Sequence, residues 1–130
     1  MQKVVIDTNV LVSALWSANG KPAQLLAFII NDMITICYDY RIWQEYSEVL
    51  SRPKFRFTGS SVNDILNKIK TDGLSIVPEP LNIEFIDQND KMFYEVAKFC
   101  NAQLITGNAK HYPKDECVVS VADFLNSFRK

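Results

Sequence analysis

Residues 3–15, KVVIDTNVLVSAL, place an ionisable side chain, Asp7, directly after three β-branched apolar residues. The pattern before Asp7 predicts a buried strand over 3–7, and the apolar residues after it have the spacing of a helix over 9–16. A charge at the end of a buried strand is unfavourable unless it is solvated, caps a helix or binds a cation. Asp7 is therefore the first candidate for a functional residue.

The rest of the chain alternates short β-branched runs with longer segments of helical periodicity, which is typical of βαβ units around a mainly parallel sheet. Further strands are predicted over 34–38, 74–77, 103–106 and 117–119. Further helices are predicted over 22–31, 41–51, 61–71, 90–100 and 121–128. We expect a single α/β domain over residues 1–130, an α/β/α sandwich in which a central, mainly parallel sheet of about five strands lies between helices.

The composition limits the classes of protein to which the chain can belong. Its 130 residues are 48% hydrophobic, enough for one core, and the formal net charge of −1 argues against binding nucleic acid through bulk charge. An acidic pocket loaded with a metal ion is compatible with that charge. The three widely spaced cysteines suggest neither a disulfide framework nor a zinc site. With no apolar run of about 20 residues and no secretion signal, we expect a soluble, cytoplasmic protein that does not span a membrane.

Four polar residues from distant parts of the chain are predicted to meet at one edge of the sheet. In open parallel sheets ligands bind beyond the carboxyl ends of the strands, and Asp7 and Asn108 follow two such ends. Helices that connect parallel strands begin at the same edge. This places Asp90 at the start of one helix and Glu45 about one turn into another.

Three carboxylates this close repel one another unless a divalent cation compensates their charge. Hard oxygen ligands around an open site favour Mg²⁺ or Mn²⁺ over zinc. Such an ion can lower the pKa of a bound water and neutralise the charge that develops on a phosphate. The pattern therefore predicts metal-assisted hydrolysis of a phosphodiester, with Asp7 as a metal ligand and Thr8 and Asn9 as supporting or helix-capping groups.

Four segments resemble the motifs of the PIN domain, a family of metal-dependent ribonucleases, and they occur in the same order. The segments are VVIDTNVLVSAL at 4–15, EYSEVLSRPKF at 45–55, DQNDKMFYEVA at 87–97 and LITGNAKHYP at 104–113. The resemblance covers essentially the whole chain. It is greatest to a branch related to the nucleases of bacterial toxin–antitoxin pairs.

The resemblance implies an endoribonuclease that uses Mg²⁺ or Mn²⁺ and leaves products with a 5′-phosphate. The positions that match the acidic ligands of the family are Asp7, Glu45 and Asp90. Auxiliary roles near the pocket are implied for Asp87 and Thr106. Many members have an acid where this chain has Asn108, and an uncharged ligand there favours one bound ion over two. The resemblance also implies a cognate antitoxin, if the protein is a toxin, and a homodimer, which is common among related nucleases.

Each candidate also has a purely structural interpretation. Asp7 and Asp87 can cap helices, and Asp90 can complement a helix dipole as a first-turn acid. Glu45 can lie on a solvated helix face, and Asn108 can be an ordinary turn residue.

Two basic segments are candidate RNA contacts. In SRPKFRF at 51–57, Arg52 and Lys54 can pair with phosphates while the neighbouring Phe rings stack on bases. Alternatively, the Phe rings lie in the core and the charges are solvated. Lys110 and His111 can contact a substrate phosphate or occupy a surface turn.

The two tryptophans, Trp16 and Trp43, are expected in the core rather than on an RNA-binding surface.

Two other functions remain open. A phosphatase of the haloacid-dehalogenase type also has a nucleophilic Asp at the end of its first strand. That chemistry requires a second Asp two residues later, where this chain has Asn9. A non-catalytic module with the same fold could bind RNA or a protein. The uncharged Asn108 favours this alternative, because fewer charged ligands bind a cation less strongly.

Overall fold

The computed structural model describes residues 2–128. The strands are β1 (Gln2–Ile6), β2 (Ile34–Tyr38), β3 (Leu74–Ser75), β4 (Gln103–Ile105) and β5 (Val118–Val119). The helices are α1 (Thr8–Trp16), α2 (Lys21–Ile30), α3 (Tyr40–Leu50), α4 (Gly59–Asp72), α5 (Lys91–Cys100) and α6 (Val121–Phe128). Short 3-10 turns lie at Pro53–Phe55, Gln88–Asp90 and Ala109–His111. Over residues 2–128, no helix combines the length and the apolar character that crossing a lipid bilayer requires.

The strands form one parallel sheet in the order β3-β2-β1-β4-β5, and the helices flank it. The predicted α/β fold around a parallel sheet of five strands is confirmed. Predicted and observed bounds of the elements agree to within two residues. The largest difference in a strand is at β3, which ends at Ser75, because Pro78 and Pro80 soon follow and cannot donate ladder hydrogen bonds.

The core is centred on β1, whose last three residues, Val4, Val5 and Ile6, are completely buried. β1 pairs with β2 on one edge and β4 on the other. Successive side chains of a strand point to opposite faces, and all three of these are buried, so both faces of β1 are covered. This position explains the continuous apolar run in place of an alternating pattern. Asp7, the next residue, therefore leaves the sheet at its most buried point.

An ion network with two buried carboxylates and a half-exposed arginine connects α3 to α5 and to the segment between β3 and α5. Asp39 caps α3 by accepting a hydrogen bond from the Ile42 N–H at 2.9 Å. The Arg41 guanidinium pairs with both Asp39, at 2.7 Å, and Glu95, at 2.9 Å. The second carboxylate oxygen of Glu95 accepts from the Leu81 N–H at 2.7 Å. Because Glu95 is only 3% exposed, this network fixes the position of α5 relative to α3.

The loop between β4 and β5 is held against α5 by Asp115. Its carboxylate accepts hydrogen bonds from the Cys117 N–H at 2.9 Å, the Lys98 ammonium at 2.8 Å and the Tyr94 hydroxyl at 2.7 Å. These three donors hold the pKa of Asp115 well below its usual range, with the Cys117 N–H the largest cause. The same loop carries residues of the candidate site described below.

Replacing Asp115 by Ala is expected to lower the free energy of unfolding by about 1.5–3 kcal/mol, because three donors lose a charged acceptor. Urea denaturation of the two proteins measures this difference. The adjacent and exposed Glu116 provides the control, since Glu116→Ala is expected to change stability by less than about 0.5 kcal/mol. Equal effects of the two substitutions would contradict the anchoring role of Asp115.

The prediction that Trp16 is a core residue is wrong. Its side chain is 63% exposed, because it is the last residue of α1 and projects beyond the sheet-facing part of the helix. Trp43 is half-buried, with its ring 6.0 Å from that of Tyr38 and 6.0 Å from the Lys70 ammonium.

Candidate functional site

Asp7 lies between the carboxyl ends of β1 and β4. In this pair of strands Ile6 is opposite Ile105, so Asp7 and Thr106 are the residues that follow immediately. The Asp7 N–H still donates to the Ile105 carbonyl at 3.0 Å, which extends the ladder by one bond. In the order β3-β2-β1-β4-β5, the chain runs outward from β1 to β2 and β3 on one side and continues through β4 and β5 on the other. The gap between β1 and β4 is thus the topological switch point, where ligands bind in open parallel sheets.

Three donors orient the Asp7 carboxylate. Oδ2 accepts hydrogen bonds from the Thr106 hydroxyl at 2.9 Å and the Tyr112 hydroxyl at 3.1 Å. Oδ1 accepts a longer bond, 3.4 Å, from the Asn9 N–H and thereby caps α1. The side chain is 5% exposed. Asp7 therefore does cap α1, as one interpretation predicts. The capping bond is the longest of the three, so Oδ1 has no donor as close as those that Thr106 and Tyr112 provide to Oδ2.

Glu45 lies in the second turn of α3 and faces the start of α1. Its Oε2 accepts a short hydrogen bond from the Thr8 hydroxyl, and Thr8 is itself buried. Burial raises the pKa of Glu45, and the nearby charges of Asp7 and Asp90 raise it further, while the Thr8 hydroxyl opposes the shift. Thr8, the residue after Asp7, thus connects the start of α1 to Glu45 on α3.

Asp90 is the last residue of the 3-10 turn that leads into α5. Its Oδ2 lies 3.3 Å from Nδ1 of His111, which comes from the loop after β4. Burial and the charges of Asp7 and Asp87 raise the pKa of Asp90, and His111 lowers it. Asp87 is exposed and caps the 3-10 turn by accepting from the Asn89 N–H at 2.9 Å, so it acts on Asp90 through charge.

The charges of Asp7, Glu45 and Asp90 act on one another, since Asp7 and Asp90 raise the pKa of Glu45 and Asp7 raises that of Asp90, in both cases after burial. Over the described part of the chain, however, no three His, Cys, Asp or Glu side chains form a group compact enough to ligate a metal ion. The three acids therefore form an open acidic cluster at the carboxyl ends of the strands, the acidic pocket, and not a closed ligand shell. The pocket's donor set of carboxylate and hydroxyl oxygens fits a hard divalent cation by its chemistry.

The other predicted site residues differ in how far their side chains are exposed to solvent. Thr106 is buried, and besides donating to Asp7 it accepts from the Asn108 N–H at 3.0 Å. Asn108 is exposed where the next 3-10 turn begins, and Lys110 is exposed within that turn. Asn9 is exposed in the first turn of α1.

The basic segment after α3 lies outside these contacts with the pocket. Arg52 pairs with Glu48 on α3 at 2.9 Å. The Lys54 ammonium lies 5.1 Å from the ring centroid of Phe55. Neither cation is hydrogen-bonded to the three carboxylates of the pocket, so the predicted contact of Arg52 and Lys54 with RNA stays a prediction.

Two tyrosines contribute to the site without having been predicted. Tyr112 donates to Asp7, and Tyr46 donates from the core to the Ile6 carbonyl, at the end of β1. Burial and the negative charge of Asp7 raise the pKa of both hydroxyls, which keeps them protonated as donors. The spacing of Tyr46 within α3 indicates a core residue and not a site residue, and nothing in the local pattern around Tyr112 indicates burial.

The raised pKa values of Glu45 and Asp90 predict how the stability of the metal-free protein depends on pH. The native state holds protons on these groups at a higher pH than the unfolded chain does, so the free energy of unfolding falls as pH rises through their native pKa values. Urea denaturation in the presence of a chelator is expected to give a larger free energy of unfolding at pH 5 than at pH 7, because the native state binds more protons than the unfolded chain. In the Glu45→Gln, Asp90→Asn protein this difference is expected to shrink, and an unchanged difference would contradict the assignment.

The fold and the pocket define an α/β domain with an acidic crevice at the switch point of a parallel sheet. The model of the PIN domain family matches residues 3–110, and the chain belongs to this family. PIN domains are generally nucleases and generally use divalent metal ions. The chain is 37% identical over 111 residues to the uncharacterized protein MJ1680 of Methanocaldococcus jannaschii, covering 82% of this chain and 70% of the relative. No solved structure matches the chain.

Proposed function

We propose that the protein is an endoribonuclease that hydrolyses RNA phosphodiester bonds with Mg²⁺ or Mn²⁺. The observation that carries this proposal is the hydrogen-bonded Asp7 carboxylate at the end of β1, whose charge acts on both Glu45 and Asp90, in a chain that belongs to a family of nucleases. These acids come from three different elements, and like charges are brought together at a cost in free energy that a structural role does not require.

In this proposal, the chain's own residues prepare the pocket for a cation and a phosphate. Thr106 and Tyr112 hold the Asp7 carboxylate by one oxygen and leave the other free of strong donors. Thr8 holds Glu45 in the same way. A bound divalent cation would supply a water of lowered pKa and neutralise charge on the phosphate. The acids themselves orient the attacking water and set the charge of the pocket.

The auxiliary residues adjust this pocket. Asp87 adds negative charge beside Asp90, and Asn108 adds an uncharged oxygen at a position where an acid would raise the charge further. This donor set supports one cation over two. His111 holds Asp90, and with Lys110 it lies on the exposed side of the pocket, where a substrate phosphate can reach both.

The test is cleavage by the purified chain of a single-stranded RNA labelled at its 3′ end, since the labelled fragment then carries the new 5′ end. With Mn²⁺ we expect internal cleavage, fragments that carry a 5′-phosphate, and no cleavage with a chelator. Calorimetry is expected to detect Mn²⁺ binding that is lost in the Asp7→Asn, Asp90→Asn protein. If calorimetry shows that the protein binds Mn²⁺ and the RNA still remains intact, the enzymatic proposal is overturned.

A second candidate, a non-catalytic module that binds RNA or a protein, is favoured by two observations. Asn108 brings no charge, and over residues 2–128 the acids do not form a compact ligand group. This candidate predicts RNA binding without cleavage at any Mn²⁺ concentration. The match to a nuclease family supports the enzyme over this module.

We also propose a toxin role, with a cognate antitoxin, and a homodimer. These proposals are supported by the resemblance of the four motifs to the toxin branch. Co-expression with the product of an adjacent reading frame is expected to suppress RNA cleavage and to yield a stable complex. Light scattering of the purified chain tests the homodimer.

A further inference from the structure

Three aromatic side chains form a cluster at the end of α1, the aromatic patch of Trp16, Phe55 and Phe57. The Trp16 ring lies 6.0 Å from that of Phe55 and 6.1 Å from that of Phe57, edge-on to both. The two Phe rings stack on each other at 5.5 Å and are half-buried. The Trp16 ring, in contrast, is 63% exposed, and an exposed tryptophan in a defined cluster is typical of a binding surface.

The backbone that supports the patch is held in an unusual conformation. Arg56, between the two Phe residues, has a left-handed backbone with φ 55° and ψ 29°, which residues with a side chain seldom adopt. This turn brings the two Phe rings together and directs the Arg56 side chain to the solvent. A disfavoured backbone that builds a surface cluster supports a functional role for that surface.

The patch is surrounded by positive charge. Three cations, Arg52, Lys54 and Arg56, lie within five residues, and the segment 51–57 contains no acid. Arg52 is paired with Glu48, whereas Lys54 and Arg56 are exposed, and the Lys54 ammonium lies 5.1 Å from the centroid of the Phe55 ring. In a chain with a net charge of −1, this concentration of cations in the segment that carries Phe55 and Phe57 is a local feature and does not reflect the composition.

The patch and the acidic pocket lie at opposite ends of α1. α1 packs against α3, and their contact begins where Thr8 meets Glu45. At the other end of α1, Trp16 contacts Phe55, which lies in the 3-10 turn after α3. The nine residues of α1 place Trp16 about 12 Å along the helix axis from Thr8. A short single-stranded segment can span this distance from the pocket.

We propose that Trp16, Lys54 and Arg56 form a binding site for single-stranded RNA next to the cleavage site, a proposal that rests on the RNA substrate proposed above. The indole stacks on a base, and the two cations contact phosphates on either side of it. Charge complementarity favours RNA over a protein partner, because cations that flank an exposed aromatic face match the alternation of phosphate and base. A duplex hides its base faces, so the site discriminates in favour of single strands.

The experiment measures RNA binding by the full chain in the presence of a chelator, so that it does not depend on cleavage. The probe is a fluorescein-labelled oligouridylate, and fluorescence anisotropy reports its affinity. Trp16→Ala is expected to weaken binding about 5- to 160-fold, the range for loss of one stacked base. Replacing Lys54 and Arg56 by Ala is expected to reduce the slope of log K against log salt by about 1.4, or 0.7 per cation. The matched control is Phe99→Ala, an exposed aromatic residue on α5, expected to change affinity less than twofold.

A spectroscopic measurement keeps Trp16 intact. The chain has two tryptophans, so in the Trp43→Phe protein Trp16 is the sole reporter. Stacking on a base is expected to quench its fluorescence with single-stranded RNA, and a duplex of equal length is expected to leave it unchanged. Affinity that Trp16→Ala leaves intact, together with absence of quenching, would overturn the inference and leave the patch to a protein partner.

The outcomes separate this inference from the proposed function. If RNA binds through Trp16 and is not cleaved with Mn²⁺, the nuclease proposal fails and the binding site stands. If RNA is cleaved with Mn²⁺ and Trp16→Ala binds and cleaves it as the parent does, the binding site fails and the nuclease proposal stands.

Discussion

Replacing Asp7 by Asn is expected to reduce kcat/KM for RNA cleavage at least about 10²-fold, as loss of a central catalytic group does in other enzymes. Asn is nearly isosteric with Asp and keeps an oxygen that can accept from Thr106 and Tyr112. It loses the negative charge that a divalent cation requires. The expected defect is therefore in catalysis and metal binding, while the fold is retained.

Three measurements test this prediction together. Initial rates with Mn²⁺ give kcat/KM, calorimetry gives the affinity for Mn²⁺, and circular dichroism verifies the fold. Asp64→Asn is the control, because Asp64 is an exposed acid on α4 and is expected to leave all three unchanged. Cleavage by the Asp7→Asn protein at the parental rate would remove Asp7 from the proposed mechanism.

Replacing Glu45 by Gln is expected to weaken Mn²⁺ binding and RNA cleavage at least about 10-fold, the lower limit for loss of groups that support a metal site. Gln can still accept the hydrogen bond from Thr8, so the geometry between α1 and α3 is preserved. The same change relieves repulsion with Asp7 and Asp90, whose charges raise the pKa of Glu45. The metal-free protein is therefore expected to become more stable at neutral pH while it becomes less active.

The same helix provides a matched control for this prediction. Glu48 lies one turn further along α3, is exposed and pairs with Arg52. Glu48→Gln is expected to leave activity and Mn²⁺ affinity unchanged, since exposed ion pairs contribute little. In thermal unfolding, Mn²⁺ at 100 times its Kd is expected to stabilise the Glu48→Gln protein by about 2.7 kcal/mol. The Glu45→Gln protein is expected to gain much less, and equal gains would place Glu45 outside the metal site.

The prediction of the fold succeeded because its signals are local. Three β-branched residues before Asp7 indicate a buried strand without reference to the rest of the chain. Alternation of such runs with helical segments favours parallel pairing, and the rule for parallel sheets then directs Asp7, Asn108 and the helix that starts at Asp90 to one edge. The order of the strands in the sheet, β3-β2-β1-β4-β5, was not predicted and comes from the structure.

The contacts within the site are a different matter, because they join residues far apart in the chain. The bond from Tyr112 to Asp7 spans 105 residues, and that from Thr8 to Glu45 spans 37. Each depends on the register between strands and on the path of a loop, for which the periodicity of either segment carries no signal. The exposure of Trp16 has the same origin, since its apolar character predicts burial and only its position at the end of α1 places it outside the core.

Local sequence therefore accounts for the strands, the helices, their order along the chain and the identity of the acids at the edge of the sheet. The three-dimensional arrangement decides which hydroxyls orient those acids, how far apart the carboxylates stand and which aromatic residues reach the solvent. The physical reason is that periodicity is set by neighbours along the chain. The energies of charge repulsion, of hydrogen bonds and of burial are instead set by neighbours in space, which the parallel register and the loops bring together.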